Sequence, residues 1–244
     1  MVDQIYDNFP NFIKVGSVNT VLAFKRPGLK KIYSELISPG DLVFDVGANL
    51  GDYSQIFLGL GAKVVSVEPE PYGVKRLKAR FNGVDNVTVI PKGLGSKEGS
   101  LPFYVSSKSH ATSTFSKEWR SGSRFKDRKF DETINIPVTT LKSLFRKFGT
   151  PSFIKIDVEG FESEVLEGLS RSVPALSLEF GMEYFNDTQK CIKRLMSLGN
   201  PQFNYVSLIG TRYALRNYIT GGKLISHLKK KGKGFGGDIY VKFV

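Results

Sequence analysis

Val43-Phe44-Asp45-Val46-Gly47-Ala48-Asn49-Leu50-Gly51 is the stretch from which the rest of the chain is read. An apolar strand ends in an acid, and a glycine-bracketed loop then opens a helix, the layout of a nucleotide-type site at the top of a parallel sheet. About 20 residues further on, a second apolar run, Val64-Val65-Ser66-Val67, closes on Glu68-Pro69. An acid at the end of that strand suits a ribose diol. The dinucleotide fingerprint G-x-G-x-x-G places a pyrophosphate on the helix N-terminus. Here its second glycine is replaced by Asn49. A cofactor with ribose and adenine but no phosphate fits better, and S-adenosylmethionine is the obvious one. A tight strand–helix turn in an ordinary α/β protein would look the same from this loop alone.

Composition sets the bounds. At 244 residues and 41% hydrophobic content, the chain suits one α/β domain with decorations. The expected layout is an N-terminal arm and helix over 1–37 and a core over 38–244, with an insertion at 96–138. A single cysteine excludes an internal disulfide framework, and two histidines without a Cys/His cluster speak against structural zinc. Cys191 falls on an apolar helical face and reads as a buried thiol. No apolar run approaches the ~20 residues of a membrane span, and the acidic start Met1-Val2-Asp3 is unlike a signal peptide, so the cytoplasm is the expected compartment. The net charge of +12 favours anionic partners: nucleic acid, lipid headgroups, acidic glycans or phosphorylated substrates.

Periodicity predicts strands over 42–46, 63–67 and 86–90. The helix after Gly51 carries a stripe of Tyr53, Ile56, Phe57 and Leu60, and the next turns Val74, Leu77 and Phe81 inward. Gly93 to Gly99 then reads as a turn and Leu101 to Val105 as a strand, a hairpin where a doubly wound fold would place a helix. Residues 106–131 are Ser-rich and basic without an apolar period. Beyond them come a strand at Ile134–Val138, a helix over 139–148, a strand over Phe153–Val158, and a helix with Phe161, Val165, Leu166 and Leu169 on one face. Ala175–Phe180 is a further strand, 183–198 a helix, and Tyr205–Ile209 and Asp238–Phe243 a closing pair. This alternation indicates an α/β fold: a mostly parallel twisted sheet, helices on both faces, and an inserted hairpin or loop after the third strand.

Phe153-Ile154-Lys155-Ile156-Asp157-Val158-Glu159-Gly160 carries the second signal. Lys155 and Asp157 share a strand face. Charges inside a buried strand are costly unless paired. Asp157 falls where open α/β sheets bind ligands, and Glu179 ends the next strand similarly. Asp45, Glu68, Asp157, Glu159 and Glu179 are expected to converge on one rim. Glu162 and Glu164 read as acids favouring a helix dipole.

These segments together resemble the FkbM-type family of S-adenosylmethionine-dependent methyltransferases. The match runs through Pro39 to Gly51, Val67-Glu68-Pro69 and Gly93 to Gly99. Its most particular part is Ile154-Lys155-Ile156-Asp157-Val158-Glu159-Gly160-Phe161-Glu162. The resemblance implies a Rossmann-like class I sheet with a reversed final strand, and O-methylation of a hydroxyl on a sugar-like, glycan or other small-molecule acceptor. It implies that Asp45, Gly47, Asn49 and Gly51 line the methionine and ribose part of S-adenosylmethionine. Glu68, followed by Pro69, takes the ribose, Lys92, Gly93 and Leu94 flank adenine, and Asp157 and Glu159 lie beside the methyl group. Asp157 is the first candidate for general base, Glu159 the second, and His110 an outsider on a loop that would close as a lid. His227, among lysines, reads as surface. No metal ligand set is assigned, although a carboxylate rim of this kind suits Mg²⁺.

Two rival readings follow from the same residues. The basic surface suits an RNA ribose methyltransferase, with Trp119, Arg120, Arg124, Phe125 and Lys126 as a stacking and charge cluster and the other Lys and Arg residues spread out. A non-catalytic methyltransferase-like binding module is the other. The retained Asp45, Gly47, Gly51 and Glu68 speak against it.

Overall fold

The computed structural model describes residues 28–106, 110–121 and 130–244. The arm expected over 1–27 lies outside the described residues. The chain enters through a helix over 28–34 (α1). It continues as β1 (Leu42–Val46), α2 (Asp52–Leu58), β2 (Lys63–Val67), α3 (Pro71–Arg80), β3 (Val87–Ile90), β4 (Gly93–Leu94) and β5 (Gly99–Val105). After α4 (Lys117–Ser121) come β6 (Glu132–Thr139), α5 (Leu141–Phe148), β7 (Phe153–Ile156), α6 (Glu162–Glu167), β8 (Ala175–Gly181) and α7 (Phe185–Met196). β9 (Pro201–Ser207), β10 (Ile219–Thr220), α8 (Gly221–Leu228) and β11 (Gly236–Phe243) complete the fold.

Eight strands form the main sheet in the order β10-β9-β11-β8-β7-β1-β2-β3. β3, β2, β1, β7 and β8 are parallel neighbours. β11 runs antiparallel between β8 and β9, the reversed final strand. Period-2 alternation sorts the core. Phe44, Val46, Ile154, Ile156, Leu176 and Leu178 pack with residues of α5–α8 on one face. Val43, Val64 and Phe153 pack with Leu29, Ile32 and Tyr33 of α1 and Ile56 and Phe57 of α2 on the other. Cys191 is buried in the first of these layers, and burial raises its thiol pKa.

Several expectations are corrected. The strand after the Gly93 turn does not form a hairpin with its immediate predecessor. β5 pairs antiparallel with β6, and β6 pairs parallel with β4 on its other edge, making a separate three-stranded sheet. The described part of 106–131 is structured: His110–Thr112 forms a 3₁₀ turn, Tyr104 bridges Thr114, and α4 follows. Its local hydrogen bonds carry no apolar period, so periodicity does not reveal them. β9 starts at Pro201 and stops at Ser207 rather than running to Ile209, because its register is set by β11. β7 stops at Ile156, which leaves Asp157 on the loop beyond it. No helix among the described residues is long and apolar enough to cross a membrane.

Candidate active site

A cleft of about 430 Å³ opens at the carboxyl ends of β1, β2 and β7. Its first half is made of backbone. Asn49, at φ 48°, donates its amide to Glu68 Oε2 over 2.7 Å, and the Glu70 amide donates to Glu68 Oε1 over 2.8 Å. Each Glu68 oxygen thus accepts one backbone amide and keeps acceptor capacity for a diol. Burial pushes the Glu68 carboxyl up to about 7, against those two amides, which lower it. Pro69, Lys92, Gly93 and Leu94 line the same end.

The second half is made of charge. Lys155 is 2% exposed, donates to Asp157 Oδ2 over 2.8 Å, and holds its ammonium 4.1 Å from the centre of the Tyr53 ring. Burial pulls the Lys155 pKa down, but Asp157, Asp45 and Asp238 together raise it above the ordinary lysine value. Asp157 and Glu159 line the cleft, and Glu179, which lines a neighbouring pocket with Trp119 and Tyr184, has a carboxylate oxygen within 4.8 Å of both. Such a group can hold a divalent cation or accept from several hydroxyls. The loop carrying it is tightly held: Glu162 Oε1 accepts the Val158 amide at 3.0 Å, and the Glu159 carbonyl accepts the Thr114 hydroxyl at 2.7 Å.

The two halves touch through one glycine. Gly47 has φ 81°, and a Cβ on it would lie 1.7 Å from the Asp157 carbonyl oxygen. Among the described residues the non-glycine positions with positive φ are Asn49 and Glu159, one in each half. Backbone strain of this kind collects where a site is built.

The model of the methyltransferase FkbM domain matches residues 45–206, from the Asp45 of β1 into β9. The chain belongs to the FkbM methyltransferase family. Two named proteins resemble it in sequence. The 2-O-methyltransferase NoeI of Sinorhizobium fredii is 25% identical over 57% of this chain and 61% of its own length. The hexuronic acid methyltransferase AglP of Haloferax volcanii is 27% identical over 64% of this chain and 62% of its own. The chain therefore spans about three fifths of each. Among solved structures, an rRNA methylase from Streptococcus thermophilus aligns over 88% of this chain and 93% of that one at a TM-score of 0.48 and 11% identity.

Within this FkbM chain the structure sorts the candidate residues. Gly47, Asn49, Glu68, Pro69, Lys92, Gly93, Leu94, Asp157, Glu159 and His110 all line the cleft. Asp45 and Gly51 stand behind it. Asp45 is fully buried, its Oδ2 accepts from the Ser54 hydroxyl at 2.6 Å, and burial raises its pKa. A Cβ on Gly51 would meet the Phe81 ring at 2.6 Å, so that glycine serves helix packing. The expected convergence of five acids reduces to three, because Asp45 lies under the loop and Glu68 turns to backbone amides.

His110 is more ordered than a solvated loop histidine. It stacks on Tyr72 with ring centroids 4.4 Å apart, and Nδ1 lies 3.3 Å from Glu70 Oε1. That pair lacks hydrogen-bond alignment and is an electrostatic contact only. These neighbours follow Glu68 in the chain, which places His110 over the Glu68 end of the cleft. His227 is half-buried, with Nε2 3.1 Å from the Tyr205 hydroxyl. Trp119, expected as an RNA-stacking residue, is only 4% exposed and is stacked on Tyr184, because Gly160 leaves room for its ring. Arg124, Phe125, Lys126 and the Arg120 side chain lie outside the described residues.

Sequence reading missed Tyr53, Thr114 and Glu162. Only Glu162 had a signal: it follows Gly160 closely enough to reach back to the loop amides, an arrangement also used to cap helices.

Proposed function

We propose that this protein transfers a methyl group from S-adenosylmethionine to a hydroxyl of a sugar-like or glycan acceptor. The observation that carries this is the pairing, in one cleft, of a diol-ready Glu68 with an Asp157 whose cation partner is buried beneath it. The names of the two relatives, a 2-O-methyltransferase and a hexuronic acid methyltransferase, support a sugar hydroxyl as acceptor. The cleft fits the cofactor: Glu68 offers oxygens to the ribose, Gly93 and Leu94 flank the base, and Asn49 leaves no pyrophosphate cradle.

When bound, S-adenosylmethionine supplies an electrophilic methyl on a sulfonium. The chain's own residues then have two tasks. They would hold the acceptor oxygen in position and take up its proton. Asp157 is the base. Lys155, itself packed on the Tyr53 ring, holds Oδ2 and leaves the other oxygen for the acceptor. Glu159 binds a neighbouring hydroxyl. His110 and Tyr72 close the nucleoside end. The cluster also suits Mg²⁺, and activity unaffected by a chelator would dismiss a metal role.

Two measurements test the reading. Calorimetry with S-adenosylhomocysteine is expected to show one site, lost in Glu68→Ala. Transfer of labelled methyl into fractionated cell extract is expected to mark polar, glycan-sized material. Absence of nucleoside binding would return the chain to a methyltransferase-like binding module, and label on RNA would revive the nucleic-acid reading.

A further inference from the structure

The net charge is not spread along the chain. Between Asp187 and Asp238 there are ten Lys and Arg residues and no Asp or Glu, against a net charge of +12 for the whole protein. The remainder is close to neutral. Part of this segment is already paired: Lys190 with Asp187 at 2.7 Å and Arg194 with Glu167 at 3.7 Å. The turn between α8 and β11 is different. Lys229, Lys230 and Lys233 are exposed there, and Lys231 lies 5.1 Å over the Phe235 ring.

Topology fixes where that turn sits. β11 begins with Gly236 opposite Gly181 at the end of β8, and Gly237 opposite Ser207 at the end of β9. The Met182 amide donates to the Phe235 carbonyl, and the Leu208 amide to the Gly236 carbonyl, each over 2.9 Å. The lysine turn is therefore stitched onto the carboxyl rim of the sheet, the rim on which the cleft opens. Next to Leu208, Ile209 is 61% exposed, the most exposed large hydrophobic residue of the described chain apart from the terminal Val244. The acids beside this turn, Glu179 and Asp238 on the paired ends of β8 and β11 and Glu183 after Met182, are each half-buried, whereas Lys229, Lys230 and Lys233 are exposed.

We propose that this rim docks the protein on an anionic lipid bilayer. Exposed lysines that line none of the clefts suit a surface with many headgroup charges. An exposed aliphatic side chain at the same end of the sheet suits the headgroup–acyl boundary and has no use on a soluble polyanion. The family match ends at residue 206, so this surface lies outside the segment the chain shares with it. Docking turns the mouth of the cleft toward the membrane, so the acceptor is a hydroxyl-bearing group carried at the membrane surface. That last consequence rests on the methyl-transfer reading, whereas the docking does not.

Co-sedimentation with vesicles tests it. The protein is expected to sediment with vesicles of phosphatidylcholine and phosphatidylglycerol in equal parts at low salt, and not with phosphatidylcholine alone. Salt of about 0.5 M is expected to release it, since the Debye length is then only a few ångströms. The triple variant K229S/K230S/K233S should partition at least about tenfold more weakly. I209S should partition about threefold more weakly with an unchanged salt slope. Thermal unfolding like the wild type's checks that both variants are folded. Failure of the wild type to bind anionic vesicles, or wild-type binding by the triple variant, overturns the proposal. I209S binding like the wild type while heparin strips both makes the rim a polyanion site and overturns the bilayer assignment. S-adenosylhomocysteine calorimetry on the same proteins separates the two readings: its loss in the wild type strikes the methyl-transfer reading and leaves docking standing.

Discussion

Glu68 and Asp157 are both carboxylates at the carboxyl ends of parallel strands, and the fold treats them in opposite ways. Glu68 is 6% exposed and accepts from the Asn49 and Glu70 backbone amides. Burial raises its pKa to about 7. The Asp157 side chain is 29% exposed and stands on a buried ammonium. The first arrangement places two carboxylate oxygens by backbone geometry. The second places one by contact with a buried ammonium. One half of the cleft is specified by conformation, the other by charge, and Gly47 is where they meet.

The largest effect is expected at that meeting point. Gly47→Ala puts a methyl into the Asp157 carbonyl at φ 81°, so loop and strand end must separate. Loss of several kcal/mol, enough to leave little folded protein, is expected by thermal unfolding. Gly40→Ala is the matched control: φ is 86° but nothing lies within 4 Å of the added Cβ. It should cost only about 1 kcal/mol. Equal losses in the two variants would show that φ alone matters and that the halves are not coupled there.

Asp157→Asn tests the division of labour. Turnover is expected to fall by roughly 10²–10⁴, the usual contribution of a general base. Affinity for S-adenosylhomocysteine should be nearly unchanged, because the nucleoside end is held by Glu68 and the segment after β3. A variant that loses both equally would merge the two halves into one binding unit. Lys155→Met follows in size. It removes the cation between Asp45 and Asp157, so a stability loss of about 3 kcal/mol is expected, together with weaker turnover. Adding Asp157→Asn should recover part of that loss, and strict additivity would show that the pair is not coupled.

The same contrast explains what could be read from the sequence. Strands β1 and β2 were placed to the residue, because continuous apolar runs bounded by acids leave little freedom. Gly47, Asn49 and Glu68 were legible because a positive φ and a strand-end acid leave marks in the residue types. Lys155 and Asp157 were legible as a pair because charge in a buried strand demands a partner. Asp45 and Gly51 were placed in the cleft by pattern, yet their side of the loop faces α2 and Phe81, and direction is decided by packing. The β5–β6 pairing spans a segment without period, so no local signal joined them. The lysine turn was visible only as composition until β11 tied it to the rim.

The smallest effect concerns Glu162, which ties down the loop carrying Asp157 and Glu159. Its carboxyl is buried, which pushes its pKa up to about 7 from an ordinary 4.5, while the Val158 and Gly160 amides pull the other way. The sign is therefore the reverse of a salt-bridged acid. Between pH 4.5 and 7 the folded protein binds a proton that the unfolded chain has released. The contribution to stability is nil below that window, falls as pH rises through it, and is a fixed penalty above it. A shift of this size corresponds to at most about 3 kcal/mol. Glu162→Gln keeps an acceptor oxygen for the Val158 amide and removes the buried charge. At pH 8 it should unfold at the same temperature as the wild type or a higher one, and the advantage should vanish by pH 4. Turnover should change by less than about threefold, since the loop keeps its bond. A glutamine variant less stable at pH 8 would mean that the loop amides depend on the full charge, and that the acceptor half is held by electrostatics even where no lysine is present.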